Sequence, residues 1–253
     1  MIKLNGETLP VTIFPDNTSQ VWHLPNEVFQ ASSAHIIWQF SHESEFMQIA
    51  QLKHLLDARG VKASLELTYL PDGRQDKPVS NDTTFALRTF AQLLNTLLFT
   101  EVSILDPHSE IAMQMIERSN PIYPKEEVYR VFAEVGDLVC YPDAGARTKY
   151  ARIYSNLPFI YGEKVRQQEN GQIVNYQLVG SATGKRILIV DDICDGGATF
   201  ITLAAALLKD GATEVSLFVS HGLFSKGTRV LFNSGIKRVF TRNQEVGPRY
   251  FAD

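Results

Sequence analysis

The chain has 253 residues, of which 44% are hydrophobic and 21% charged, the composition of an ordinary globular protein. Its formal net charge of −4 and pI of about 5.9 exclude the electrostatic footprint of a nucleic-acid or anionic-membrane binder. Two cysteines, Cys140 and Cys194, do not make a disulfide framework, the opening MIKLNGETLP has no apolar signal segment, and the longest purely apolar stretch is LAAALL. A membrane span needs roughly 18 apolar residues, so the expectation is a cytoplasmic protein that engages neither membrane nor nucleic acid.

In chain order, AHIIWQF (34–40) reads as a buried strand, and SEFMQIAQLKHLLDARG predicts a helix with Phe46, Ile49, Leu52 and Leu56 on one face and Gly60 as its stop. ASLELTYL alternates, with Leu65, Leu67 and Tyr69 to one side, and a polar loop then leads to the helix TTFALRTFAQLLNTLL, for which Asp82 is the expected N-cap. EVSIL predicts the next strand, ending at Asp106-Pro107-His108. The stretch 117–128, ERSNPIYPKEEV, is polar, carries two prolines, and is the expected internal boundary. Beyond it come a strand DLVCY, a helix TKYARIYS, a strand PFIYG, a mobile-looking polar stretch EKVRQQENGQ, the strand RILIV, the helix FITLAAALLKDG and the strand EVSLFVS. Strands alternating with helices predict an α/β fold with a parallel sheet flanked by helices. Two such units are expected, roughly 1–122 and 123–253.

Ligand groups in open parallel sheets gather at the carboxyl ends of strands. Four polar clusters follow predicted strands in this way: DGRQDK, DPHSE, PDAGAR and DDICDGGAT. In the last, side chains alternate along a strand, so Asp191 and Asp192 diverge while the strand lasts and at its end reach the rim and the loop. Adjacent acids there suit the hydroxyl pair of a sugar or a hydrated magnesium ion, which often meets a protein through one or two carboxylates. The small residues that follow leave backbone N–H groups open at a helix start, a site for phosphate or another anion. The plainer reading is a strand-turn-helix connection with an acidic N-cap.

The other clusters have similar pairs of readings. Arg74 can hold phosphate through its planar fork and Gln75 can read a base edge or hydroxyl, or RQD is a solvated loop. His108 at a strand end is a candidate metal ligand or a structural histidine, and the structural role is expected of His23, His35, His42 and His54. Lys164 and Arg166 are either a solvated charge run or a cationic clamp that closes on phosphates. Cys194 has no companion base and is expected to pack.

In this order the clusters resemble the ribose-phosphate diphosphokinases, the PRPP synthetases. ILIVDDICDGGAT is similar to the signature shared with type I phosphoribosyltransferases. TYLPDGRQDK, LDPHSE, YPDAGARTKYAR, EKVR and SHGLFSKG resemble further segments particular to the synthetases, together spanning roughly 12–227. The resemblance implies two phosphoribosyltransferase-like domains, an ATP-binding one at 1–122 and a ribose-phosphate-binding one at 123–253, each a mainly parallel sheet flanked by helices. It implies transfer of the β,γ-diphosphate of ATP to the anomeric hydroxyl of a ribose phosphate, with Mg2+ as cofactor, in a homo-oligomer (dimer or hexamer). Carried over by position, Phe14, Asp16, Arg74, Gln75, Asp76 and His108 would bind ATP, and His108 and Asp143 would serve the metal. Asp191 and Asp192 would bind the ribose hydroxyls, and Asp195, Gly196, Gly197, Ala198 and Thr199 would cradle the 5-phosphate. Lys164 and Arg166 would be catalytic, closing on the transferring group.

The chain also departs from that pattern. FPDNT keeps Phe14 and Asp16 but lacks the family's glutamate, D-L-H has become Asp106-Pro107-His108, Gly196 replaces a threonine, and Ala198 replaces a glycine. Losing the threonine hydroxyl removes a hydrogen bond to a terminal phosphate and leaves space, so the acceptor is expected to be either ribose 5-phosphate or a 5′-substituted ribose phosphate such as ADP-ribose. The alternatives are a phosphoribosyltransferase that consumes PRPP, which gives no reason for RQD or DPH, and a non-catalytic regulator of a true synthetase.

Overall fold

Ile36 and Trp38, Ala63, Leu65 and Leu67, and Val102 and Ile104 are almost wholly buried at every second position of three neighbouring strands. That period-two burial is what a pleated strand imposes on a sequence with one side in a core. In the computed structural model, which describes residues 1–166 and 173–248, the chain divides into two compact units, Met1–Ile122 and Tyr123–Asp253.

The first unit runs β1 (Ile2–Leu4), β2 (Glu7–Thr8), β3 (Val11–Ile13), β4 (Ser19–Val21), α1 (Asn26–Gln30), β5 (Ser33–Trp38), α2 (Glu45–Asp57), β6 (Lys62–Leu67), α3 (Ala86–Asn95), β7 (Val102–Leu105), α4 (Glu110–Met115) and β8 (Ser119–Ile122). Its six-stranded sheet has the order β2-β1-β5-β6-β7-β8, parallel from β5 to β8, with β1 and β2 antiparallel at one edge. β3 and β4 form a separate hairpin, tied to α2 because the Gln51 side chain accepts from Val21 N–H (3.0 Å) and donates to Ser19 O (2.8 Å). Ile49, Leu52 and Leu56 bury the inner face of α2, and Gly60, at φ 71°, supplies the left-handed turn that ends it.

The second unit runs α5 (Lys125–Val135), β9 (Leu138–Tyr141), α6 (Ala144–Ile153), β10 (Phe159–Arg166), β11 (Ile173–Val179), β12 (Arg186–Cys194), α7 (Ala198–Lys209), β13 (Glu214–Gly222), α8 (Arg229–Phe232), β14 (Ile236–Thr241) and β15 (Glu245–Val246). The sheet order is β11-β10-β9-β12-β13-β14-β15, and its five inner strands are parallel. β12 lies at the centre and is buried on both faces. Ile187 and Ile189 pack with Phe200, Leu203 and Leu207 of α7, while Leu188 and Val190 pack with Val128 and Val131 of α5 and Tyr150 of α6. A strand covered on both sides needs a continuous apolar run, and ILIV provides it.

Three element boundaries differ from the sequence expectations. Asp82 does not cap α3, which starts at Ala86 after Phe85. Its carboxylate instead takes the Ser80 hydroxyl, in a turn where Thr83 Oγ1 accepts from Val79 and Ser80 N–H. Short polar side chains compete for local backbone groups in this way. The polar stretch 117–128 spans the division at Ile122/Tyr123 and contains the edge strand β8, where Pro121 is tolerated, and the start of α5. β10 continues past PFIYG through Arg166 because β11 pairs with it antiparallel, from Tyr161↔Val179 to Lys164↔Tyr176. β12 continues past Val190 to Cys194 because β13 holds its register as far as Cys194↔Gly222.

The pairing of β10 with β11 depends on Gly162. A Cβ there would stand 2.6 Å from Tyr176 Cδ1 and 3.2 Å from Leu203 Cδ1, inside van der Waals contact with two buried side chains. Gly162→Ala is expected to lower unfolding stability by about 1–3 kcal/mol, the usual cost of overpacking. Urea denaturation measures this, and an unchanged midpoint would mean that the Tyr176 ring is not fixed against β10.

Candidate functional site

β9 and β12 are adjacent and parallel, in register at Ile189↔Cys140, so the residues just beyond these positions share one end of the sheet. Asp143 is the N-cap of α6, where its Oδ1 accepts from Ala146 N–H at 2.8 Å. Its other oxygen takes Lys164 Nζ from β10 at 2.5 Å. Burial pushes the Asp143 carboxyl up, but the hydrogen bonds from Lys164 and Ala146 outweigh it and hold the carboxyl below the usual range.

Asp191 and Asp192 lie inside β12 and therefore alternate in direction. Asp192 is buried, and its Oδ2 stands 4.0 Å from Lys149 Nζ of α6, an ammonium that also lies 4.7 Å from the Tyr150 ring. Asp191 is half-buried and its Oδ1 accepts from Asp192 N–H at 3.0 Å. Burial, then the charge and hydrogen bond of Asp192, and then the charge of Asp143 hold the Asp191 carboxyl well above the ordinary range. A carboxylate crowded by others in this way is a receptor for hydroxyl donors or a cation.

The loop from Asp195 to Gly197 leads into α7. Gly197 is at φ 80°, and a Cβ there would also meet Leu231 Cδ2 at 2.9 Å, so both conformation and space require glycine. Ala198 and Thr199 begin the helix, whose open N–H groups and positive dipole end make an anion site. Behind the loop, Tyr176 of β11 is buried, and its hydroxyl is raised by burial and the charge of Asp143, with a hydrogen bond to Thr199 opposing. Cys194 is fully buried, its thiol pushed up to about 12 by burial, then by Asp191 and Asp195, so it stays protonated and packs as expected.

In the first unit, β6 and β7 are neighbours, which places the 71–76 turn and residues 106–108 at adjacent strand ends. Gln75 N–H donates to Asp72 O (2.8 Å) and Gln75 O accepts from Leu87 N–H (3.3 Å), while Arg74 and Gln75 are exposed and Asp76 is half-buried. Asp106 is buried in the left-handed region at φ 42°, an uncommon conformation for a residue with a Cβ, and it turns the chain toward the exposed His108. Phe14 and Asp16 lie at the exposed tip of the β3–β4 hairpin, where Asp16 Oδ1 accepts from Thr18 N–H (3.0 Å) and Thr18 Oγ1 (2.7 Å). Arg166 ends β10, and its side chain lies outside the described residues. Among the described residues, no group of three or more His, Cys, Asp or Glu is arranged to hold a metal ion. No helix of the described residues is long and apolar enough to cross a membrane.

Sequence reasoning missed Lys149, Tyr176 and Lys226. Lys149 falls six residues beyond Asp143 in the quoted PDAGARTKYAR, and Lys226 in SHGLFSKG, so both had a signal in their position after a strand. Tyr176 had none, because only the hairpin carries it back to the site.

Residues 149–250 match the phosphoribosyl transferase domain family. The chain is 26% identical over 241 residues to the ribose-phosphate pyrophosphokinase of Sulfurisphaera tokodaii, covering 91% of this chain and 82% of that one. It is 26% identical over 236 residues to the enzyme of the same name from Pyrococcus abyssi, covering 89% and 81%. The crystal structure of phosphoribosylpyrophosphate synthetase from Mycobacterium smegmatis superposes with a TM-score of 0.75 at 21% identity, over 92% of this chain and 79% of that one, a likeness of fold. The two sheets and the acid-plus-glycine strand end therefore define a protein of the phosphoribosyltransferase-like class. Within that class the chain is similar in sequence to enzymes named ribose-phosphate pyrophosphokinase.

The crowding of Asp191 has a measurable consequence. Its folded pKa is raised, so the stability penalty is absent at low pH and grows as pH rises through the folded value. Asn can still accept from Asp192 N–H, so Asp191→Asn is expected to stabilise the fold at pH 7 by about 0.5–2 kcal/mol. The advantage should shrink toward pH about 4, near the ordinary carboxyl value. Urea denaturation at both pH values checks the sign, and a variant less stable than wild type at pH 7 refutes it.

Proposed function

We propose that the chain transfers diphosphate from ATP to the anomeric hydroxyl of a ribose phosphate, making a PRPP-type product and AMP. The observation that carries this reading is the meeting, at one sheet end, of the Asp191–Asp192 pair, the Asp143–Lys164 pair and the open N-terminus of α7. On this reading Asp191 and Asp192 accept hydrogen bonds from the ribose 2- and 3-hydroxyls, and residues 195–199 hold the 5-phosphate by backbone N–H groups. Arg74, Gln75, Asp76 and His108 bind ATP, and Phe14 and Asp16 serve its adenine from a neighbouring copy in a homo-oligomer, a dimer or hexamer.

In the step itself the C1 hydroxyl oxygen bonds to the β-phosphorus, the bond from that phosphorus to the α,β-bridging oxygen breaks, and AMP leaves with that oxygen while the hydroxyl proton passes to solvent. Little covalent chemistry falls to the protein, so positioning and cationic stabilisation dominate. Lys164 leaves Asp143 for the transferring diphosphate, and Arg166 closes beside it. The Asp143 carboxylate has the oxygen chemistry that suits magnesium, which keeps its waters and needs only one or two carboxylates. Asp143 in the second unit and His108 in the first would each serve magnesium, which would supply neutralisation of the phosphate charge.

The finer part of the proposal concerns the acceptor. Gly196 has no side chain where a threonine hydroxyl would meet a terminal phosphate oxygen, and a Cβ there would make only ordinary contacts, at 3.5 Å or beyond. This supports an acceptor with a larger 5′-substituent, such as ADP-ribose. AMP release from ATP with ribose 5-phosphate or ADP-ribose tests both levels. AMP release with neither refutes the transferase reading, and a strong preference for ribose 5-phosphate refutes the ADP-ribose reading. Arg166→Ala is expected to lower kcat by about 10²–10³-fold, as loss of one preorganised charge-stabilising donor does. Steady-state kinetics at saturating substrates measures it, and unchanged kcat removes Arg166 from the catalytic set.

A further inference from the structure

Lys164 and Lys149 each face a carboxylate, at 2.5 Å from Asp143 and 4.0 Å from Asp192. Lys226 has a different environment. It lies on the loop after β13, and that loop is stitched to the last residue of β12, since Leu223 and Phe224 N–H both donate to Cys194 O at 2.8 and 3.1 Å. Phe224 anchors the turn, buried and in the left-handed region at φ 44°. Thus tethered, Lys226 crosses the phosphate loop from outside. Its Cγ, Cδ and Cε lie 3.9, 3.6 and 3.5 Å from where a Cβ on Gly196 would stand, so the stem runs over this glycine and approaches it toward its charged end. The residue is exposed, and no carboxylate among the described residues forms an ion pair with it.

The electrostatics of the loop explain why a cation belongs there. An N-terminal helix end supplies roughly half a positive charge, whereas a phosphate monoester carries ~1.5–2 negative charges at neutral pH. Asp191, Asp192 and Asp195 stand beside the same loop and add repulsion. Backbone N–H groups alone leave that balance negative, and a lysine ammonium at the open rim offsets it while its three rotatable donors suit a tetrahedral group. Gly196 is the other half of the arrangement, because it presents bare backbone beneath the stem, which passes at ordinary van der Waals distance from its Cβ position.

We propose that Lys226, lying across Gly196, is an acceptor-selecting residue whose ammonium binds the phosphate ester of the acceptor at the 195–199 loop. The proposal rests on reading that loop as the ribose-phosphate cradle. Calorimetric titration of the full chain with ribose 5-phosphate, inorganic phosphate and ATP separates the possibilities. Lys226→Met keeps the stem and removes the charge. It is expected to weaken ribose 5-phosphate and inorganic phosphate by about 10–100-fold, the loss of one charge-assisted hydrogen bond, with ATP affinity changed by less than about two-fold. Lys226→Arg should recover most of the affinity. Ribose 5-phosphate affinity within about two-fold of wild type in Lys226→Met, no phosphate binding by wild type, or an equal loss for ATP would each overturn the proposal. Failure of wild type to release AMP would instead count against the diphosphokinase reading, and the affinity ratios would still decide the role of Lys226.

Discussion

Asp143, Asp191 and Asp192 crowd one end of the β9–β12 strand pair, and the surrounding residues offset their mutual repulsion. Two like charges a few ångströms apart away from bulk water cannot both ionise without cost. The chain answers with Lys164 on Asp143, Lys149 beside Asp192, backbone N–H groups at Asp143 and Asp191, and a raised pKa at Asp191. The answers come from three elements: β10, α6, and β12 itself. The sheet order, with β9 between β10 and β12, is what lets those elements converge.

The apolar side of the same strands makes this possible. Ile187 to Val190 lock β12 between two helical layers, so the acids that follow are held by a strand with no freedom to relax apart. Register with β13 extends the strand through Cys194, and the loop then reverses at Gly197, the position where a side chain would be strained and would strike Leu231. Rigidity on one side and a glycine turn on the other put carboxylates and an anion site within a few residues. A site that binds both hydroxyls and phosphate needs that juxtaposition.

Much of the architecture was legible in the sequence, because period-two and period-3.6 burial are direct imprints of the core. The inner faces of α2 and β6 and the ILIV run were read correctly for that reason. The misreadings share a cause. Strand ends were placed where polar residues begin, at Val190 and Gly162, yet pairing with β13 and β11 carries both strands further. Asp82 satisfies every local rule for an N-cap, but Ser80 claims it first. For the site, spacing singled out Asp143, Asp191 and Asp192, each next to a strand run. It could not reveal Tyr176, which reaches Thr199 only because an antiparallel hairpin folds back over Gly162.

The same logic explains why the cations around this site differ in accessibility. Lys149 is half-buried, over the Tyr150 ring and beside Asp192, so its charge is held in place and serves the acids. Lys164 sits on an outer strand of the parallel set, hydrogen-bonded to one oxygen of Asp143 while α6 uses the other, so it can depart without uncapping the helix. Lys226 is exposed and approaches from the loop after β13. A buried charge held by its surroundings is preorganised, and an exposed one is free to follow a ligand. On the proposed reading, that gradation from Lys149 through Lys164 to Lys226 separates the cation that maintains the acids from those that would meet incoming phosphate.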